Sequence, residues 1–152
     1  MVNGNDTVRH KIFCIIGKSG TGKDTLYREL LNDGALPFER LVPCTTRPIR
    51  AGEQDGREYH FYTVDELRGY FGADKVVPIY IEVEDGERLQ RALDRERAEE
   101  QPKYRELCRR FLADCEDFSD EKIAEAGITR RFENDSLERC KKEIRQYLIE
   151  MM

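Results

Sequence analysis

Lys11-Ile-Phe-Cys-Ile-Ile16-Gly17-Lys-Ser-Gly-Thr-Gly22-Lys23-Asp24-Thr25 is the stretch that decides the fold. A short, β-branched apolar run ends at Gly17, which predicts a buried strand. Lys23 to Asn32 then reads as a helix, with Leu26, Leu30 and Leu31 on one side and Gly34 just beyond its end. Between them lies G-x-x-x-x-G-K, in the strand–loop–helix context that a phosphate-binding loop requires. Glycines let the backbone wrap an anion and aim several N–H groups at it. The helix N-terminus adds partial positive charge, and Lys23 supplies a cation for the outer phosphates. Gly17, Ser19, Gly20, Thr21, Gly22, Lys23, Asp24 and Thr25 are therefore the candidate nucleotide-binding residues. The hydroxyl that usually follows the lysine comes one position late, at Thr25. Asp24 is either a Mg²⁺ ligand, directly or through water, or simply a helix N-terminal acid. Asp24 and Thr25 are the candidate metal ligands.

Outward from this loop, strands alternate with helices. Leu41–Thr46 reads as a strand placed at an edge or an end by Pro43. The glycine-rich, charged stretch from Ala51 to Glu58 reads as a loop, and Thr63-Val-Asp-Glu66 has capping-box spacing before a short helix. Val76–Val83 is a further strand despite Pro78. Two charged helices follow, Gly86 to Glu100 and Tyr104 to Glu116, separated by Gln101-Pro102. Ile128–Phe132 is a last short strand. Asp135-x-x-Glu138 opens a C-terminal helix whose apolar face is Leu137, Ile144, Leu148 and Met151. The expected fold is α/β: a parallel sheet with helices on its faces.

The 152 residues suit one domain with a real core. Charged residues are 38%, above the ~25% of ordinary soluble domains. With 26 basic and 31 acidic residues the net charge is −5, which argues against a dedicated duplex-DNA binder but leaves room for a local basic pocket. No apolar run approaches the ~20 residues of a membrane helix, and the polar start, Met1 to His10, lacks a signal core. We expect a cytoplasmic protein acting on small molecules, with no membrane or nucleic-acid partner. Five cysteines without a Cys-x-x-Cys, and only His10 and His60, argue against a zinc site and point to reduced thiols. Cys14 reads as core.

A second constellation is Thr45-Thr46-Arg47-Pro-Ile-Arg50-Ala-Gly52-Glu53-Gln-Asp-Gly56-Arg-Glu-Tyr59-His-Phe61. Two arginines three residues apart, followed by a tyrosine beyond a glycine loop, suit an anionic planar ligand, and alone they are as readily a charged surface loop. With the phosphate loop, the stretch resembles the guanylate kinase family. Every fixed position of the signature Thr-Thr-Arg-x-x-Arg-x-Gly-Glu-x-x-Gly-x-x-Tyr-x-Phe is met.

The resemblance implies a P-loop kinase-type parallel sheet flanked by helices, with a helical lid, and ATP-dependent phosphoryl transfer to GMP with Mg²⁺. It assigns the acceptor phosphate to Arg47, Arg50 and Tyr59, and the ATP phosphates to Gly17–Thr25. More weakly, it likens residues 86–116 to the lid, whose arginines reach the transferring phosphate; Arg91, Arg95 and Arg110 are the candidates. It places Asn134, in Glu133-Asn134-Asp135, near the adenine. The expected catalytic set is Lys23, Arg47, Arg95 and Arg110. The expected division is a core of 11–50, 67–83 and 117–152, an acceptor-binding remnant at 45–66 and a lid at 86–116.

Two departures stand out. Pro43 replaces the family's serine four positions before Arg47. A few dozen residues that would follow Tyr62–Glu66 are absent, and with them much of the acceptor lobe and a central strand ending in an acid near Mg²⁺. Three explanations stand: a mobile segment that belongs to the protein, an engineered deletion, or a natural short relative. Loss of such a strand exposes apolar surface and unpaired backbone, so we expect the first, in a lobe that closes over substrate. Glu82 and Glu84 do not replace the acid; they read as ordinary polar positions. The rival functions are a non-catalytic interaction module of the same family and a P-loop kinase for a phosphorylated sugar.

Overall fold

The computed structural model describes residues 11–37, 44–45, 52, 54–55 and 60–152, with the backbone alone at Cys44, Thr45 and Phe61. Their elements run β1 (Ile12–Ile16), α1 (Lys23–Leu31), β2 (Cys44–Thr45), β3 (His60–Phe61), α2 (Val64–Phe71), β4 (Val76–Glu82), α3 (Asp85–Arg97), α4 (Tyr104–Asp117), α5 (Asp120–Glu125), β5 (Arg131–Glu133) and α6 (Leu137–Met151). The order β1-β4-β5 forms a three-stranded parallel sheet, and β2 pairs with β3, also in parallel, in a separate ladder. This is the expected α/β class.

β4 is the central strand. Val76, Val77, Ile79, Tyr80 and Ile81 are all buried, as befits a strand covered on both faces. Its Pro78 is tolerated for a geometric reason. The Ile12 N–H donates to the Lys75 carbonyl at 2.7 Å, so the odd-numbered residues of β4 turn their backbone groups to β1 and the even-numbered ones to β5. β5 begins to pair only at Tyr80. The missing N–H of Pro78 therefore faces the stretch that β5 does not reach.

One face of the sheet is covered by α1 and α6. Leu26, Leu30 and Leu36 meet Ile79, Ile81 and Phe132, and Cys140, Ile144 and Leu148 of α6 close the cluster. On the other face Ile16 and Tyr80 pack under Ile123 and Ile128, with Cys14, Val64 and Phe118 alongside. Burial pushes the Cys140 thiol up to about 11, so it behaves as a small apolar group. Among the described residues β1 pairs with β4 alone, and Ile12 to Ile15 are half-buried while their β4 neighbours are mostly buried.

Local signals account for most boundaries. Thr63 and Glu66 form the expected capping box, each accepting from the other's backbone N–H. The break at Gln101-Pro102 separates α3 from α4 as expected. Three expectations are corrected. The strand expected at Ile128–Phe132 lies at Arg131–Glu133, because Ile128 is drawn into the cluster below α5. The short helix α5, capped by Ser119, has no counterpart among the expected elements. The cap of α6 is Ser136, whose hydroxyl accepts from the Arg139 N–H, while Asp135 pairs with the Arg139 guanidinium. Of the strand expected at Leu41–Thr46, only Cys44–Thr45 lies within the described residues.

Candidate active site

The loop between β1 and α1 has the backbone that its glycines predict. Gly22 caps α1 at φ 83°, in the left-handed region. A Cβ there would lie 2.5 Å from the Asn134 amide nitrogen, and one on Gly17 would lie 2.3 Å from the Ile81 carbonyl. Thr21 is 1% exposed, and its hydroxyl donates to the Lys18 carbonyl at 2.8 Å. Lys23, the first residue of α1, turns back over the loop, its ammonium donating to the same carbonyl at 3.0 Å. The sequence places these groups in one loop at the carboxyl end of β1, and the structure gathers the Thr21 hydroxyl and the Lys23 ammonium on the Lys18 carbonyl.

Asp24 and Thr25 occupy the exposed first turn of α1. Adjacent helix positions point about 100° apart, so the two are separate candidates for a cation rather than a pair. Among the described residues no three acidic, histidine or cysteine side chains converge on a metal position. A cation that keeps most of its waters and leans on phosphate oxygens needs only one or two protein oxygens, and Asp24 and Thr25 fit that requirement.

Asn134, expected near the adenine, ties the loop down. It is 5% exposed and donates from its amide to the Thr21 carbonyl at 2.8 Å. Its backbone N–H donates to the Glu82 carbonyl, and its own carbonyl accepts from Arg91 at 3.2 Å. Arg91 also pairs with Glu87. Arg95 is exposed in the last turn of α3, and Arg110 faces Glu96 and Glu106 at 3.8 and 3.9 Å. The structure does not bring Arg95 or Arg110 onto the loop. Arg47, Arg50 and Tyr59 lie outside the described residues. Glu84 caps α3, where backbone N–H groups of Gly86 and Glu87 hold its carboxyl below the usual range.

Three residues missed by sequence reasoning dominate the loop's outer wall. Arg88 is 1% exposed, and its guanidinium lies 4.0 Å over the Phe111 ring. It donates to the Ser19 carbonyl at 3.2 Å and pairs with Asp85 at 3.1 Å and Asp114 at 3.5 Å. The Asp114 carboxylate accepts the Ser19 backbone N–H at 2.7 Å. Asp85 also pairs with Lys18 at 3.1 Å; burial opposes its ionisation, but the bonds from Lys18 and Arg88 prevail and hold its carboxyl below the usual range. A signal for Arg88 is present in the sequence: Arg91 and Arg95 share a helix face, and one turn back on that face lies Arg88. Nothing local marks Asp114, whose partner is 95 residues away.

Beside the loop, at the carboxyl ends of β4 and β5, is a cavity of about 280 Å³ walled by Lys18, Tyr80, Asp85, Phe118, Asp120 and Arg131. Burial, with the nearby Glu82 charge, raises the Tyr80 hydroxyl to about 12, so it stays neutral.

A parallel sheet whose first strand runs through such a loop into a helix, with further strands ending beside it, is the fold of a P-loop kinase-type protein. Comparison narrows the class. Residues 9–77 match the family Guanylate kinase. Similar proteins include the guanylate kinases of Schizosaccharomyces pombe (41% identical over 71 residues, 47% of this chain and 35% of that one), Cupriavidus pinatubonensis (50% over 58 residues, 38% and 26%) and Porphyromonas gingivalis (39% over 67 residues, 44% and 36%). Over residues 9–77 the chain is similar to the guanylate kinase family, and the matched part spans 26–36% of the length of these relatives.

Proposed function

We propose that the protein transfers the γ-phosphoryl group of ATP to a nucleoside monophosphate, GMP above others. The observation that carries this is the loop itself: Gly22 opens α1 in the left-handed region, Lys23 turns its ammonium back onto the Lys18 carbonyl, and Ser19 N–H already engages a carboxylate oxygen. The family match over residues 9–77, which includes Arg47, Arg50 and Tyr59, supports GMP as acceptor.

In this reading the Lys23 ammonium and the loop amides neutralise charge on the donor phosphates. Arg47, Arg50 and Tyr59 hold the acceptor phosphate in line. An oxygen of that phosphate forms a bond to the γ-phosphorus as the β–γ bridging bond breaks, and ADP leaves with the bond's electrons. Mg²⁺, held from Asp24 or Thr25, would neutralise the β- and γ-phosphate oxygens. Arg95 and Arg110 act from residues 86–116, which close as a lid over the core, and exclusion of water protects the γ-phosphoryl group from hydrolysis. Residues 45–66 serve as the acceptor-binding part.

Removing one preorganised donor of this kind costs about 10²–10³ in turnover. Lys23→Ala and Arg47→Ala should each lose at least that much in a coupled assay of ADP formation from ATP and GMP. Losses of tenfold or less in both would sink the assignments. The partial span of the match favours a second reading, a non-catalytic interaction module of the same family. ATP binding by calorimetry with no turnover on any nucleoside monophosphate or phosphorylated sugar would support it.

A further inference from the structure

The outer rim of the phosphate loop is held at three points by the α3–α4 pair. Lys18 pairs with Asp85, the Ser19 carbonyl accepts from Arg88, and the Ser19 N–H donates to Asp114. Arg88 joins the other two, donating to both Asp85 and Asp114 from a buried position over Phe111. All three points lie on Lys18 and Ser19, within a loop whose N–H groups suit an anion.

The Asp114 bond is the telling one. A backbone N–H in a glycine-rich loop opening a helix is a donor for phosphate oxygens. Here that donor is taken by a carboxylate oxygen at 2.7 Å, a short charge-assisted bond. A polyphosphate on the loop would compete with Asp114 for Ser19 N–H and would meet its negative charge at close range. The other contacts do not share this conflict. Arg88 and Lys18 are cations, and their carboxylate partners can be exchanged for phosphate oxygens.

We propose that Asp114 is a built-in occupant of the phosphate loop, so that α4 latches the loop shut and a nucleoside triphosphate must displace this carboxylate to bind. Displacement frees the Arg88 donor that faced Asp114, and the phosphate takes the place of the carboxylate on both Ser19 and Arg88. The latch couples loop occupancy to the position of the α3–α4 pair. It rests on the phosphate-binding half of the function proposed above.

The test is calorimetric titration of the wild type, Asp114→Ala and Asp114→Asn with ATP and with tripolyphosphate. Apparent affinity scales with the fraction of molecules whose site is open. A latch that is closed about nine times in ten makes Asp114→Ala bind both probes about tenfold more tightly. Asp114→Asn, which keeps an acceptor without the charge, falls between. A positioning role alone cannot tighten binding. In ¹⁵N-labelled wild type, the Ser19 amide resonance should shift as tripolyphosphate is added. Should Asp114→Ala fail to fold, as judged by circular dichroism, Asp114→Asn decides by the same criterion. Equal or weaker binding by the folded variant, alongside a binding wild type, overturns the latch and leaves the kinase reading intact. Absence of binding in every form overturns both. Binding by a variant alone supports both.

Discussion

Gly22→Ala puts the geometry of the loop to a quantitative test. Gly22 sits at φ 83°, ψ 17°, a left-handed conformation that costs an L-residue about 1–2 kcal/mol. The new Cβ would also stand 2.5 Å from the Asn134 amide nitrogen, well inside contact distance. Asn134 is buried and gives that nitrogen to the Thr21 carbonyl, so it cannot retreat without leaving polar groups unpaired. Such a loss costs about 1–3 kcal/mol. Gly22→Ala should therefore destabilise the fold by about 2–5 kcal/mol. Asn134→Ala alone breaks the same bond but also removes the obstacle. In the double variant only the backbone strain at position 22 is added, so the pair should cost less than the sum of the singles by about 1 kcal/mol or more. Urea denaturation of the four proteins, with unchanged slope, measures this coupling. Additivity within about 0.5 kcal/mol would mean that the contact between loop and Asn134 does not exist as described.

Two further outcomes are expected. Asp85 has a carboxyl held below its ordinary 3.8, its bonds from Lys18 and Arg88 outweighing burial. A depressed folded value gives stability that is fully present above the unfolded value and is lost as pH falls through the folded one. Acid unfolding monitored below about pH 4 should thus be shallower in Asp85→Asn than in the wild type, and identical slopes would contradict the Lys18–Asp85–Arg88 arrangement. At the start of α6, Ser136→Ala should cost about 1 kcal/mol, whereas Asp135→Ala, at an exposed ion pair, should cost well under that; thermal melts of both distinguish the cap from its neighbour.

What can be read ahead of the structure depends on how local its cause is. β1, the loop and α1 are contiguous, and each residue type there has a reason within a few positions: β-branched residues for a buried strand, glycines for φ 83° at Gly22, leucines for the inner face of α1. The same holds for the Thr63–Glu66 capping box. The cap of α6 is harder to place because Asp135-x-x-Glu138 and Ser136-x-x-Arg139 overlap, one residue apart, and spacing alone does not say which side chain reaches the backbone. Ile128 misleads for a different reason. Apolar character shows that a residue is buried, not whether a strand or a turn beneath α5 buries it.

The site shows the same divide with larger consequences. A motif reports the residues that face a ligand because their chemistry is stereotyped; it is silent about the residues that hold the motif in place. The resemblance leads one to expect Asn134 near the adenine, and only the fold shows the Thr21 carbonyl opposite its amide. Arg88 looks like one more charge in a highly charged helix until its neighbours appear. A guanidinium fully removed from water is stable only where carboxylates and carbonyls answer most of its donors, and those answers come from Ser19, Asp85 and Asp114, three separate parts of the chain. Burial of that one charge thereby commits the α3–α4 pair to the loop. Because the same carboxylate that balances Arg88 also occupies Ser19 N–H, internal charge balance and ligand binding draw on one set of groups, and a change in either must be felt by the other.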